Sequence, residues 1–212
     1  MRLTVVRKSK FGLLIKLPES IEFEIPFPIW EKYRLYVDYE IDELLLKKIL
    51  FESEYFRARN YVMWLLAKRS YFESELKKKL FFKKYNREII DEVLQDVKKL
   101  GFINDEKYAE EFVENKIKMR KFGLIRIGNE LRRKGVSKNI IDKLIKKNED
   151  EEIVKLNIHT LAQKKFDSLI KKENDMRKIS QKIYSHLVGK GYSSELILEE
   201  LRKLKVHAYE EI

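Results

Sequence analysis

The sequence predicts a mainly α protein: three tandem three-helix repeats forming an elongated curved body, preceded by a small N-terminal β element. Three observations support this. One spacing recurs, as Leu80, Lys84, Tyr85, Asn86, Ile89 and Ile90, then Leu131, Gly135, Val136, Ser137, Ile140 and Ile141, then Leu187, Gly191, Tyr192, Ser193, Leu196 and Ile197, at intervals of 51 and 56 residues. All three prolines, Pro18, Pro26 and Pro28, precede residue 29, and the proline-free remainder suits helix. Asn86, Ser137 and Ser193 hold the same place in each unit, where a side-chain oxygen can accept from an unpaired amide at a helix start. A unit of this length cannot bury its apolar faces alone and gains its core by stacking on neighbours.

Residues 1–50 form the β element and a leader helix. Leu3 to Val6 and Phe11 to Leu17 read as strands joined around Lys8 to Lys10, and Ile21 to Ile25 alternates as a third. A helical turn near Ile29 to Leu35 follows, and Glu43 to Ile49 starts a helix. Residues 51–105 are repeat 1: a helix through Ala58 to Lys68, a second carrying Phe72, Leu76 and Leu80, and a third carrying Ile89, Ile90, Val93, Leu94 and Val97. Ser70 with Glu73 resembles a capping box for the second helix. Residues 106–147 are repeat 2, with stripes Tyr108, Ala109, Phe112, Val113 and Ile117, then Leu124, Ile127 and Leu131, then Ile140, Ile141, Leu144 and Ile145. Residues 148–212 are repeat 3, opening with a longer helix through Val154, Ile158, Leu161, Ala162, Phe166 and Leu169. Gly135 and Gly191 suit a left-handed helix end, where repeat 1 has Lys84. Asp105 is expected to cap the next helix, and Trp30 and Trp64 to fill junctions.

The net charge of +11 divides unevenly, as +1, +3, +7 and 0 over the four segments in order. Repeat 2 is therefore the electropositive part, a local surplus that attracts a polyanion or an acidic protein face. Lys116, Lys118, Arg120 and Lys121 cluster at the end of its first helix. Arg126 and Arg133, seven apart, share a face of its second, and Arg132 and Lys134 extend the patch. A solvated helix face is the competing reading, because Glu114 with Lys118 and Glu130 with Lys134 have favourable i to i+4 order.

The segment Gly101-Phe-Ile-Asn-Asp-Glu-Lys-Tyr-Ala-Glu-Glu-Phe-Val113, with Gly123, Arg126-Ile127, Glu130-Leu131 and Lys134-Gly135-Val136, closely resembles the middle motif of the RecX family of RecA regulators. Lys68-Arg69-Ser70 with Glu75-Leu76 is similar to that family's first-repeat motif. The pattern departs at Lys116, where the family commonly has Arg, and Lys keeps the charge without the two-point fork. The resemblance implies a non-enzymatic modulator of homologous recombination and the SOS response. Such proteins bind the RecA filament on single-stranded DNA, lie in its groove and usually suppress its activity; many also bind DNA. The alternative is a RecA-independent, sequence-nonspecific nucleic-acid binder, and a third possibility is a pure protein scaffold.

Catalysis finds little support in the residues. His159, His186 and His207 show no metal-ligand spacing and read as helix-surface residues. Scattered glycines form no phosphate-gripping loop, so no cofactor, metal or small-molecule substrate is expected. No stretch is apolar enough to span a membrane and cysteine is absent. A cytoplasmic monomer is the expectation.

Overall fold

In the computed structural model, residues 3–16 and 22–210 are described, residues 4–6 and 205–210 by their backbone alone. These residues form a three-stranded sheet and ten helices. They fall into two compact units, one through Asn104 and one from Asp105 onward.

Unit 1 opens with an antiparallel meander of β1 (Thr4–Lys8), β2 (Gly12–Lys16) and β3 (Glu22–Pro26). Its register pairs Lys8 with Leu13 and Gly12 with Pro26. Ser9 fixes the first turn, its hydroxyl oxygen accepting from the Phe11 and Gly12 amides at 3.1 and 3.0 Å. Leu17 and Ile21, assigned above to strand ends, lie outside the described residues. Pro28 sits in the first turn of α1 (Phe27–Lys32), where its missing amide costs nothing.

The long helix α2 (Glu43–Leu66) follows, capped by the Asp42 carboxylate, which accepts from the Leu45 amide at 2.7 Å. Its first half places Leu46 and Ile49 among Leu3, Ile15, Ile25, Ile29, Leu35 and Ile41. Its second half places Ala58, Val62 and Leu65 in the core of repeat 1. The boundary expected between residues 50 and 51 therefore falls inside one continuous helix, because the sequence between Glu43 and Leu66 contains neither Gly nor Pro to stop it.

Repeat 1 is completed by α3 (Glu73–Phe82) and α4 (Arg87–Lys99), closing on Leu76, Leu80, Ile89, Ile90, Val93, Leu94 and Val97. The capping box expected at Ser70 is displaced. Tyr71 and Phe72 are drawn into the core, so the helix starts at Glu73, and the Glu75 carboxylate accepts from the Phe72 amide at 3.2 Å. Trp30 packs partly buried against the β element, as expected. Trp64 does not fill a junction: it is 54% exposed, because Val62 and Leu65 take the inward face of α2 at that point.

Unit 2 holds two further triplets. Repeat 2 is α5 (Asp105–Arg120), α6 (Leu124–Arg133) and α7 (Lys138–Lys147), closing on Ala109, Val113, Ile127, Leu131, Val136, Ile141 and Leu144. Repeat 3 is α8 (Glu151–Ile170), α9 (Met176–Lys190) and α10 (Ser194–Glu210), closing on Ile158, Ala162, Ile179, Ile183, Leu187, Tyr192, Ile197, Leu201 and Leu204. The fold is thus mainly α, three three-helix repeats with a small N-terminal sheet.

The recurring turn has one geometry in all three repeats: Lys84, Gly135 and Gly191 adopt φ of +64°, +80° and +92°. The residues expected to cap the following helices are less uniform. Asn86 Oδ1 accepts from the Ile89 amide at 2.9 Å. Ser193 Oγ accepts from Leu196 at 3.5 Å, the outer limit of a hydrogen bond. Ser137 holds the cap position in extended backbone, but its hydroxyl makes no capping bond; the site is exposed, where solvent can serve the first amides. Asp105 is the first residue of α5 rather than the residue before it, so its carboxylate acts on the positive end of the helix dipole.

Only glycine adopts the left-handed conformation without a Cβ penalty, so the three turns should respond differently to substitution. Gly135→Ala is expected to lower the unfolding free energy by about 1 kcal/mol or more, and Lys84→Gly to raise it by a few tenths. Urea denaturation followed by circular dichroism reads both. An unshifted Gly135→Ala midpoint would mean the turn tolerates a side chain.

Candidate partner-binding junction

Within unit 2, repeats 2 and 3 meet at the short link between α5 and α6. Gly123 precedes α6 in extended backbone, and its amide donates to the Lys190 carbonyl at 2.9 Å. Tyr192 Oη donates to the Lys121 carbonyl at 2.9 Å, and burial pushes that phenol up to about 12. Lys121 Nζ donates to Oδ1 of the buried Asn157 on α8 at 2.8 Å. The backbones approach so closely that a Cβ on Gly123 would collide with the Gly191 carbonyl, and one on Gly191 with Arg126.

Positive charge gathers on this junction around one aromatic ring. Arg126 Cζ lies 3.9 Å from the Phe122 centroid, Lys190 Nζ 5.0 Å and Lys116 Nζ 5.1 Å. Arg126 also donates to the Gly189 carbonyl at 2.7 Å, so its guanidinium spans the two repeats. Glu130 answers two of these cations, 2.9 Å from Lys116 and 3.1 Å from Arg126. Burial pulls the Glu130 carboxyl upward, but the hydrogen bonds from Lys116 and Arg126 outweigh it and leave its pKa below the usual range. Lys190 is shifted the other way: burial, then the charges of Arg126 and Arg120, lower its pKa. Another positive charge here is costly, and an anion would relieve the cost.

The eight basic residues singled out in the sequence separate into groups. Lys116, Lys121 and Arg126 are engaged in the junction just described. Lys118 is exposed and pairs with Glu114 at 3.3 Å, the i to i+4 pair anticipated. Arg120, Arg132 and Arg133 are exposed, and among the described residues none has a carboxylate within ion-pair distance. Arg132 donates to Asn129 Oδ1 at 2.7 Å and Arg133 to the Asn129 carbonyl at 3.4 Å. Lys134 is half-buried, 5.6 Å from the Phe112 centroid. Arg126 and Arg133 therefore differ in setting despite their spacing. Sequence reasoning missed Phe122, which lies in repeat 2 next to Lys121, and Asn157 and Lys190 of repeat 3, which join it only through the tertiary contact.

The histidines offer no alternative centre. His159 Nδ1 lies 2.8 Å from the buried Glu200, and His186 is held below its ordinary pKa by burial and by Lys190 and Lys165. The His207 side chain lies outside the described residues. Among the described residues no cluster of His, Asp and Glu could hold a metal ion, and no helix is long and apolar enough to cross a membrane.

Family models describing the first, second and third RecX three-helix domains match residues 58–96, 104–145 and 157–201. The chain belongs to the RecX family. A Clostridium beijerinckii protein named Regulatory protein RecX is 30% identical over 203 residues, 96% of this chain and 94% of its own length. A namesake from Clostridium perfringens strain SM101 is 32% identical over 198 residues, 93% and 92% of the two chains. Two solved structures share the RecX fold at 24% identity. One titled crystal structure of regulatory protein RecX has a TM-score of 0.68 over 95% of this chain and 98% of its own. RecX from Lactobacillus salivarius has a TM-score of 0.58 over 74% and 97%. The middle RecX domain thus contains the cationic link between α5 and α6, and the third supplies Lys190 and Tyr192.

Two consequences can be measured. Gly123→Ala should cost unit 2 about 1–3 kcal/mol, since its Cβ meets backbone that cannot yield; a thermal melt matching the unsubstituted chain would mean the repeats separate freely. Glu130→Gln should cost about 1–3 kcal/mol at neutral pH. The lowered Glu130 pKa means this contribution is present above the unfolded carboxylate value of about 4.3 and is lost as pH falls through the folded value. Denaturant titrations at pH 7 and in acid should therefore show the difference closing in acid.

Proposed function

We propose that this chain is a non-catalytic, negative modulator of a RecA recombinase, binding the RecA filament on single-stranded DNA during homologous recombination and the SOS response. Membership of the RecX family supports the reading, together with the name Regulatory protein carried by its relatives. The single observation that gives it a surface is the cation cluster around Phe122, with one carboxylate, Glu130, facing Lys116 and Arg126 while Lys190 and Arg120 add uncompensated charge. A filament offers acidic protein faces and phosphate together, and either answers such a cluster.

Regulation then follows from preference. A ligand shifts an equilibrium only by its differential affinity for the states. Several repeats on one chain supply several contacts, and simultaneous engagement depends on how neighbouring protomers are spaced. Binding that favours one spacing biases ATP turnover between protomers, and the chain supplies no chemistry of its own. Arg120, Arg132 and Arg133 make the variable contacts in this reading, while Lys116, Lys121 and Arg126 hold the surface in shape.

A RecA ATPase assay on single-stranded DNA tests this directly. The unsubstituted chain should lower ATP hydrolysis, and the triple variant Arg120→Glu, Arg132→Glu, Arg133→Glu should need at least tenfold more protein for the same effect, with an unchanged thermal melt. Unaltered hydrolysis at saturation would overturn the function, and equal potency of the variant would overturn the surface. Binding to bare single strands that equals or exceeds binding to the filament at physiological salt would favour the RecA-independent nucleic-acid binder, a reading that the same unpaired arginines support.

A further inference from the structure

Unit 1 carries a second surface, unrelated to the junction in unit 2 and rich in exposed rings. Tyr61 and Trp64 stand three residues apart on α2, and Lys68 follows four residues on, in the turn just beyond its end; Trp64 is exposed, while Tyr61 is half-buried with part of its ring against the core of repeat 1. The Tyr61 and Trp64 rings lie nearly parallel, 20° apart, with centroids separated by 6.1 Å. A cation closes each end: Lys68 Nζ stands 3.5 Å from the Trp64 centroid, and Lys83 Nζ, arriving from the end of α3, 5.4 Å from that of Tyr61. Two further rings, Phe81 and Phe82, are 72% and 82% exposed immediately before Lys83.

Scattered exposed rings are ordinary, but an exposed indole lying parallel to a half-buried phenol, the two bracketed by ammonium groups, is not explained by core packing alone. Residues 68–87 carry 8 basic side chains and 2 acidic ones, a denser surplus than that of repeat 2. Among the described residues neither Lys68 nor Lys83 has a carboxylate within ion-pair distance.

We propose that the row Lys83, Tyr61, Trp64 and Lys68 is a base-stacking platform that binds single-stranded nucleic acid directly. Flat π-faces take unpaired bases without regard to sequence, and flanking cations track the phosphates. Lys68 covers the indole in the free chain. A base stacked there is held more strongly than an exposed cation on a ring, and the displaced ammonium then meets a phosphate, so exchange is favourable at both groups. A duplex keeps its π-faces inside its own stack, which leaves the single strand as the ligand. This inference goes beyond the recombinase reading and does not depend on it.

The test uses the full chain with Trp30→Phe, so that Trp64 is the remaining indole, titrated with an oligodeoxythymidylate and with an abasic oligonucleotide of equal length. The thymidylate should quench Trp64 emission and the abasic strand should not. Trp64→Ala should weaken thymidylate binding, read by anisotropy, roughly fivefold to a hundredfold. It should leave abasic binding unchanged, while Trp64→Phe keeps most of the affinity. Lys68→Ala with Lys83→Ala should flatten the dependence of log affinity on log salt by about 1.4. Equal affinity of the unsubstituted chain for the two strands, or of Trp64→Ala and the unsubstituted chain for thymidylate, would overturn the proposal. A chain with Arg120→Glu, Arg132→Glu and Arg133→Glu should still be quenched. Loss of the quench there would place the strand on unit 2 and overturn the proposal, whatever became of recombinase binding.

Discussion

The fold depends on one backbone constraint, a single left-handed residue between the second and third helices of every repeat. Lys84, Gly135 and Gly191 turn the chain so that Tyr85, Val136 and Tyr192 fold back over the preceding helix end. The amides of those three residues donate to Leu80, Leu131 and Leu187, the leucines that open the recurring motif. The aliphatic pair on the third helix then reaches the stripe on the second, and the triplet closes. In repeat 3 the same residue serves a second purpose, because the absence of a side chain at Gly191 lets Arg126 of repeat 2 approach its backbone.

Charge is organised by that approach. Once the two backbones touch, Lys190 is carried beside Arg126 and Arg120, and Phe122 becomes a shared ring for three cations. Glu130 moderates the repulsion without cancelling it. Stability and attraction for anions are thus opposed in one small region: the carboxylate that steadies the junction is also what limits its potential.

Local patterning made the repeats legible. Periodic aliphatics marked each helix, Gly135 and Gly191 marked two of the left-handed turns, and Asn86 marked a genuine cap. Failures came where a local signal met a tertiary demand. Ser70 lost the helix start because Tyr71 and Phe72 were drawn inward, and Trp64 was read as filler because hydrophobic character alone does not tell which face of a helix is covered. The basic residues of the candidate site were visible as a cluster. Their division into Lys116, Lys121 and Arg126, with side chains engaged in the junction, Arg120 at its edge beside Lys190, and Arg132 and Arg133 outside it, was not, because that division is made by Asn157, Gly189 and Lys190, which lie 36 to 70 positions away in the chain from the groups they meet.

The 24 residues of α2 measure about 36 Å end to end and serve two hydrophobic clusters in turn. A rod anchored in both cannot fray in one without loosening its grip on the other, so the meander and the first triplet open as a single cooperative block. Arg57, donating to the Glu24 carbonyl, pins the sheet to the midpoint of that rod. The N-terminal strands therefore draw their persistence from a repeat that begins well after them, and severing the chain near residue 50 would cut through a helix instead of parting two domains.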